Sequence, residues 1–402
     1  MDLRYSAEYE AFRREVREFL ANGWPLAGEE AGLPADQQAA RFRERAIEKG
    51  YVARAIPRRY GGSEQPPDVL KAAILREEFR RARAPGELHG IGPSMFVPTL
   101  LEHGAEWQKE RFIPPTIRGE MVWCQGYSEP GSGSDLASLR TRAELVGDAW
   151  VINGQKIWTT GAQRADFMFL LCRTEPDAPK HAGISYLLLD MKAPGIEVRP
   201  LRQLDGGADF NEVFLTDART PADHIVGRRG EGWTVSRSTL KHERNMIGDA
   251  TTSRLTFAGL VQLARTVERD GRPAICDPGI RERLAEIEGY VLSHTYSGYR
   301  QLTLAARGES AGLVGTMNKL VSTQINHRIA RLALDLIDDA GLLAPRGRAY
   351  ARSAREGAPG WLMQYVWSLG TAIAGGTANI QRNIIAERGL GLPRDWAAQK
   401  SG

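Results

Sequence analysis

Residues 124–162 read CQGYSEPGSGSDLASLRTRAELVGDAWVINGQKIWTTGA, and this stretch decides the fold. Its first part, Ser128-Glu-Pro-Gly-Ser-Gly-Ser-Asp135, is a run of turn-forming residues with little side-chain bulk. Backbone amides and hydroxyls in such a turn can approach a planar, polar-edged ligand closely. The second part ends in Trp158-Thr159-Thr160, so an indole and two hydroxyls follow nearby. Asn153-Gly154 stands between two apolar runs, and that dipeptide predicts a two-residue hairpin turn. Gly131-Ser-Gly133 lacks the strand–turn–helix setting of a dinucleotide-binding loop and does not signify one.

Outward from this segment the periodicity changes twice. Before about residue 120, Phe12, Val16, Phe19 and Leu20 recur at helical spacing. Val69–Phe79 reads as a further amphipathic helix, with Pro57 and Gly61-Gly62 as breaks between them. From 121 to 228 the apolar runs are short: Trp150–Ile152, Phe167–Cys172, Ile184–Asp190, Ile196–Arg199 and Glu212–Thr216. No helical pattern separates them, which excludes a parallel nucleotide-binding sheet and favours a small antiparallel barrel. Beyond 229 two helical stripes appear, Leu284, Ile287, Val291, Leu302, Ala305 and then Leu320, Ile325, Ile329, Leu332, Leu336. The expected architecture is α+β. An all-α N-terminal domain (1–120) precedes an antiparallel β-barrel domain (121–228) and a C-terminal α-helical bundle domain (229–402). Residues 344–360, APRGRAYARSAREGAPG, read as a surface loop.

A chain of 402 residues is long enough for two or three domains, and 42% hydrophobic with 25% charged residues is ordinary for a soluble protein. The net charge of +4 is small and the arginines are scattered, which argues against a nucleic-acid surface and is compatible with an anionic small molecule. Cys124, Cys172 and Cys276 form neither a disulfide framework nor a zinc pattern, as in a reducing compartment. The N-terminal segment MDLRYSAEYEAFRREVREFL has no apolar signal core, and no run approaches the roughly 18 apolar residues that cross a bilayer. The expected location is cytoplasmic.

On the residues quoted, the chain resembles the acyl-CoA dehydrogenase family, whose flavin-binding segment reads much as Ser128–Asp135 and Trp158–Thr160 do. Leu240–Arg244 and Ala374–Arg388 extend the likeness, which can be followed from about residue 40 to 395. The resemblance implies N-terminal helices, a central β-barrel, a C-terminal four-helix bundle and an FAD cofactor. It implies that Ser128 hydrogen-bonds the pyrimidine edge of the flavin and that Gly133 and Ser134 lie against its ribityl and phosphate portion. Trp158 then packs on the isoalloxazine, Thr160 bonds near its N5 edge, and Ser134 is also near the acyl-CoA. Thr377 and Asn379, with Gln381 and Arg382, open the last helix, whose N-terminus is expected to approach the FAD phosphates.

Family members remove an α-proton of an acyl thioester with a glutamate and pass the β-hydride to the flavin, giving a trans-2-enoyl-CoA. Many place that glutamate directly before the Gly-Thr that opens the last helix, where this chain has Gly375 and no titratable group. The family's second position lies directly before an arginine on a bundle helix, and Glu243 stands there in Thr239-Leu-Lys-His-Glu-Arg244. Glu243 is the expected base and the Gly375 N–H the expected donor to the thioester carbonyl, with Lys241 and Arg244 at the CoA portion. Glycine at 375 also enlarges the pocket, which implies a branched, cyclic or otherwise bulky acyl group.

Two segments depart from the family pattern. An Arg-x-x-Phe-Gly stretch followed by glutamine usually completes a neighbour's flavin site; here Arg269 or Arg272 stands in, Phe-Gly is missing and Pro278 takes the glutamine's place. Asp338-Asp-Ala-Gly341 replaces a Gly-Gly-x-Gly loop, and two carboxylates repel a pyrophosphate. Members that degrade steroid side chains share the Asp-Gly-Arg-Pro variation, and some are hetero-oligomers. The implied partners are an acyl-CoA substrate, electron-transfer flavoprotein as acceptor, and either identical subunits (dimer or tetramer) or an unlike homologous subunit. Two alternatives share the fold: an acyl-CoA oxidase or flavin monooxygenase, and a non-catalytic subunit of a hetero-oligomer.

Overall fold

Apolar residues spaced three or four apart wind into α1 (Ala7–Gly23), which buries Val16 and Leu20. The computed structural model describes residues 5–342 and 358–393, without the side chains of 244–247, 340, 342, 358 and 359. Helices α2 (Ala35–Glu48) and α3 (Val69–Ala82) follow, and Asp68 caps α3 by accepting from the Leu70 and Lys71 N–H groups at 3.0 and 2.9 Å. Glu78 of α3 is buried and accepts from Arg13 and Arg17 of α1 at 2.6 and 2.9 Å. Burial alone would raise that carboxyl; the two guanidiniums outweigh it and hold it below the usual range. After α4 (Val97–His103) and α5 (Glu106–Arg118), Gln108 Nε2 donates to the carbonyls of Asp223 and Ile225 at 3.0 and 2.8 Å. Phe96 stacks on Trp123 and on Phe169 of the sheet, with centroids 3.8 and 5.7 Å apart.

Seven strands make the sheet: β1 (Trp123–Gly126), β2 (Arg142–Val146), β3 (Ala149–Thr160), β4 (Phe167–Arg173), β5 (Ile184–Asp190), β6 (Ile196–Pro200) and β7 (Phe210–Pro221). Their order is β1-β4-β2-β3-β7-β6, with β5 on the other side of β4. The pairings are antiparallel as expected, except that β1 runs parallel to β4 and Arg142 meets Arg173 in a single parallel bridge. Six of the seven residues of β4 and of β5 are buried, which explains why both read as unbroken apolar runs.

The hairpin turn is not at Asn153-Gly154. It is at Gly147-Asp148, where Val146 pairs with Ala149 and Gly147 takes φ 65°. Asn153 and Gly154 lie inside the 12-residue β3, opposite an extra residue on β7, Asp217, at φ 51°. The Asn153 side chain stitches that bulge: Nδ2 donates to Asp217 Oδ1 and Oδ1 accepts from the Asp217 N–H, both at 2.9 Å. Gly154 is required because a Cβ there would come within 2.7 Å of the Thr141 Cα.

The chain forms two compact units, Met1–Leu201 with Phe210–Thr239, and Arg202–Asp209 with Leu240–Gly402. Helix α6 (Gly232–Ile247) begins in the first unit and ends in the second, which continues with α7 (Ala250–Thr266), a short β8–β9 hairpin (Glu268–Arg269 with Arg272–Pro273), α8 (Pro278–Ala306), α9 (Val314–Ile337), α10 (Ala358–Thr371) and α11 (Ala378–Ile384). Leu260, Leu284, Ile287, Val291, Ile325, Ile329, Leu332, Leu336 and Trp361 form its apolar core. The buried face of α8 extends only as far as Thr295: Leu302 is half-buried and Ala305 exposed. The expected loop at 344–360 lies outside the described residues except for its last three positions, which open α10. Cys124 and Cys172 are buried and free, Cys276 is exposed and free, and burial pushes the Cys172 thiol up to about 12.

Gly154→Ala should lower the unfolding free energy by about 2 kcal/mol or more, from the φ of 156° combined with the Thr141 clash. Urea unfolding checks this, and a loss below about 0.5 kcal/mol would contradict the bulge argument.

Candidate active site

In the first unit the site grows from a lysine in an inward position. Strand alternation puts Trp150, Ile152 and Lys156 on the buried face of β3, and Lys156 is 0% exposed. A buried ammonium requires partners. Its Nζ donates to Glu129 Oε1 at 2.9 Å and to the Tyr127 carbonyl at 3.1 Å, and Glu129 also accepts from the Arg140 and Thr141 N–H groups at 2.6 and 2.8 Å. Burial by itself raises the Glu129 carboxyl; the Lys156 charge and the Thr141 and Arg140 contacts hold it below the ordinary range. Burial lowers the Lys156 ammonium, and Glu129 works against that. Ser128 is thereby bracketed, because its own carbonyl accepts from the Ile157 N–H at 2.9 Å while both neighbours are tied to Lys156.

Beyond Lys156 the strand bulges. Lys156 pairs with Val213 and Thr159 with Asn211, so β3 carries one residue more than β7 across this interval. Trp158 absorbs the excess at φ 60°, a conformation that costs a residue with a Cβ about 1–3 kcal/mol. The indole is 59% exposed and meets the Phe210 ring edge to face, at 6.1 Å and 83°. Thr159 points inward, fully buried, and Thr160 is exposed. Ser128 is half-buried, Gly133 and Ser134 are exposed, and a Cβ built on Gly131 or Gly133 would meet nothing within 4 Å. An open, small-residue turn beside an outward-facing indole fits a planar ring with polar edges, which is what a flavin presents. A cleft of about 370 Å³ flanks the turn, lined in part by Ser132, Ser138, Arg140 and Gln155.

In the second unit, Glu243 of α6 is half-buried and Lys241 exposed; the Arg244 side chain lies outside the described residues. Gly375 and Gly376 make the turn between α10 and α11 at φ 62° and 92°, and Thr377 caps α11 by accepting from the Ile380 N–H at 3.3 Å. Two buried side chains hold this turn. Lys319 Nζ donates to the Gly376 carbonyl at 2.7 Å and the Ala372 carbonyl at 3.4 Å, and Gln381 Nε2 donates to the Gly375 and Gly376 carbonyls at 3.3 Å. Burial lowers the Lys319 ammonium, and the charge of Glu243 opposes that shift. Asn379 is exposed and accepts from Arg382 at 3.1 Å. Arg269, in the β8–β9 hairpin, donates to the Asp335 carbonyl near the end of α9, and Asp338 and Asp339 are exposed just beyond.

Sequence reasoning did not single out Lys156, Glu129, Lys319 or Gln381 as ties of the site. A signal existed for the two lysines: Lys156 occupies an inward β position, and Lys319 precedes Ser322, Ile325 and Ile329 on the buried stripe of α9. Among the described residues no cluster of three or more metal-ligating side chains occurs, and no helix is long and apolar enough to cross a membrane.

Three family profiles match: acyl-CoA dehydrogenase N-terminal domain over residues 6–120, middle domain over 124–218 and C-terminal domain over 230–390. The acyl-CoA dehydrogenase IpdE1 of Mycobacterium tuberculosis (strain ATCC 25618 / H37Rv) is 37% identical over 400 residues, covering 96% of this chain and 99% of that protein. IpdE1 of Mycolicibacterium smegmatis (strain ATCC 700084 / mc(2)155) is 38% identical over 411 residues, with shares of 96% and 99%. Among solved structures, the Tcur3481-Tcur3483 steroid ACAD and the ChsE4-ChsE5 complex from Mycobacterium tuberculosis each superpose with a TM-score of 0.77 at 27% identity, over 98% of this chain and all of that chain.

Because Trp158 is strained and exposed, Trp158→Gly should leave the thermal midpoint of the flavin-free protein unchanged or raise it, while flavin retention on gel filtration falls at least about tenfold. Full retention would show that the indole does not carry the ring.

Proposed function

The chain belongs to the acyl-CoA dehydrogenase family, oxidoreductases acting on CH–CH groups, and on that premise we propose that it is FAD-dependent and dehydrogenates a bulky acyl-CoA thioester between Cα and Cβ. The functional domains are taken as 1–120, 121–228 and 229–402. The observation that carries the reading is the glycine turn at 375–376, whose Gly376 carbonyl is held by the buried Lys319 ammonium, with a half-buried carboxylate, Glu243, in the same unit.

Ser128, Gly133, Ser134, Trp158 and Thr160 are the residues to hold the flavin, which when bound supplies the acceptor for the β-hydride. Thr377 and Asn379 are assigned to its phosphate portion, and Arg269 to the flavin of a neighbouring subunit. Glu243 takes the α-proton of the thioester, and the electrons of that C–H bond form the new Cα–Cβ double bond as the β-hydride leaves. The Gly375 N–H meets the charge that develops on the thioester oxygen. Lys241 and Arg244 are assigned to the CoA portion, with Ser134 near the thioester.

Glycine at 375 leaves room where a glutamate would stand, which supports a branched, cyclic or steroid-type acyl group. One structural neighbour is named a steroid ACAD, which points the same way. Two neighbours carry paired component names, Tcur3481-Tcur3483 and ChsE4-ChsE5, so an unlike homologous subunit is the favoured partner over identical copies. Electron-transfer flavoprotein is the proposed acceptor.

Anaerobic titration of FAD-loaded protein with butyryl-, octanoyl-, isobutyryl-, cyclohexanecarboxyl- and steroid side-chain acyl-CoAs tests the reading. Bleaching of the flavin by the bulky thioesters is expected, with Glu243→Gln slowing it by about 10²- to 10⁴-fold at unchanged FAD content. Preference for straight short chains refutes the bulk argument, and an unchanged rate in Glu243→Gln refutes the base. Stoichiometric hydrogen peroxide under air would replace the dehydrogenase with the oxidase. Failure of the isolated chain to hold FAD would favour the scaffold subunit.

A further inference from the structure

The interior of the second unit changes character along α9. From Ile325 to Leu336 the buried positions are Ile325, Ile329, Ala330, Leu332, Ala333 and Leu336, and they pack against apolar residues of α7, α8 and α10. One to two turns earlier the same stripe reads Asn318, Lys319, Ser322 and Thr323, all buried. An amphipathic helix has no reason to place a lysine there for stability alone. Withdrawing an ammonium from water is expensive, and aliphatic residues of similar volume often serve the fold as well. The polar stretch is satisfied locally: Asn318 is held by Ser297 at 2.6 Å and by Gln301 at 3.1 Å. Lys319 reaches past its own helix to the turn that follows α10.

That turn has no side chains with which to hold itself. Gly375 and Gly376 both adopt positive φ, and a glycine pair is the most mobile linkage a backbone offers unless its carbonyls are fixed. The fixing comes from outside. The Lys319 ammonium takes the Gly376 carbonyl at 2.7 Å, and the Gln381 amide takes the Gly375 and Gly376 carbonyls at 3.3 Å. The Gly375 N–H shares its peptide plane with the Ala374 carbonyl, which lies between the Ala372 and Gly376 carbonyls that Lys319 ties, so that plane is confined from both sides.

We propose that Lys319 is a positioning residue for the reaction: its buried ammonium locks the Gly375–Gly376 turn so that the Gly375 N–H is already aimed when the thioester arrives. The proposal rests on the assignment of Gly375 and Glu243 made above. The charge of Glu243 also works against the burial that lowers the Lys319 ammonium. A donor fixed before the substrate binds needs no reorganisation during the reaction, which is where its contribution to rate lies. Lys319 touches neither substrate nor flavin in this scheme.

The test uses the full-length, FAD-loaded protein and the acyl-CoA from the titration that reduces the wild-type flavin fastest. Lys319→Met removes the donor and the charge at similar length. Its FAD content and circular dichroism should match wild type and its half-saturating acyl-CoA concentration should stay within about threefold, while the limiting rate of flavin reduction falls at least about tenfold. Amide hydrogen exchange in residues 372–377 should speed up at least about tenfold in the same variant without acyl-CoA, with exchange elsewhere in the bundle unchanged. Lys319→Arg, which keeps charge and donors, should restore both readouts in part. A wild-type limiting rate in Lys319→Met, or slow exchange at 372–377, overturns the proposal. So does loss of fold in both variants, which would make Lys319 a structural residue only. Glu243→Gln run alongside separates the two ideas: if it stays inactive while Lys319→Met is fully active, the positioning role alone has failed. If Glu243→Gln is active, the base assignment has failed, and the exchange data still decide whether Lys319 holds the turn.

Discussion

A lysine with no access to water, Lys156, and the carboxylate it meets, Glu129, hold the Ser128 turn and the Trp158 bulge of the first unit in place. Breaking such a pair by removing one partner leaves a buried charge alone, so the geometry around it is tightly determined. Through the Tyr127 and Glu129 contacts the pair fixes both flanks of Ser128. It also ends the regular part of β3, since the register shift begins at the next residue and turns Trp158 outward. A strained, exposed tryptophan persists only where its surroundings over-determine it. Here the surroundings are an ion pair below and the Ser128–Ile157 bond beside it.

The second unit repeats the logic with different elements. A buried cation, Lys319, ties a backbone turn that carries no side chains of its own, and the Gln381 amide adds the second tie. In both units a buried lysine organises backbone carbonyls of a turn. Glycine at 375 then has a clear consequence. It gives up a carboxylate but keeps an amide, and the proposed function assigns the carboxylate's task to Glu243 on α6.

Much of the architecture was legible because long periodic segments are unambiguous: α1, α3, α8 and α9, and the apolar runs of β4 and β5, lie where the pattern placed them. The hairpin was misplaced because Asn-Gly serves two purposes. It relieves a bulge as readily as it makes a turn, and only the partner strand, with its extra Asp217, decides between them. Motif order drew attention to Ser128–Asp135 and Trp158–Thr160. Lys156, Glu129 and Lys319 did not stand out, because a single sequence does not say which charged residues are withdrawn from water; the lysines became visible only once their strand or helix face was known to point inward, and Glu129, on the turn after β1, only through its contact with Lys156.

A double-mutant cycle on FAD binding tests most directly whether the Lys156–Glu129 pair builds the flavin platform. Dissociation constants are measured by flavin fluorescence for wild type, Lys156→Met, Glu129→Gln and the double variant. If the pair organises the platform, the two single changes are strongly non-additive, with a coupling energy of at least about 1.5 kcal/mol. Additive losses within about 0.3 kcal/mol would show two independent residues and contradict the claim.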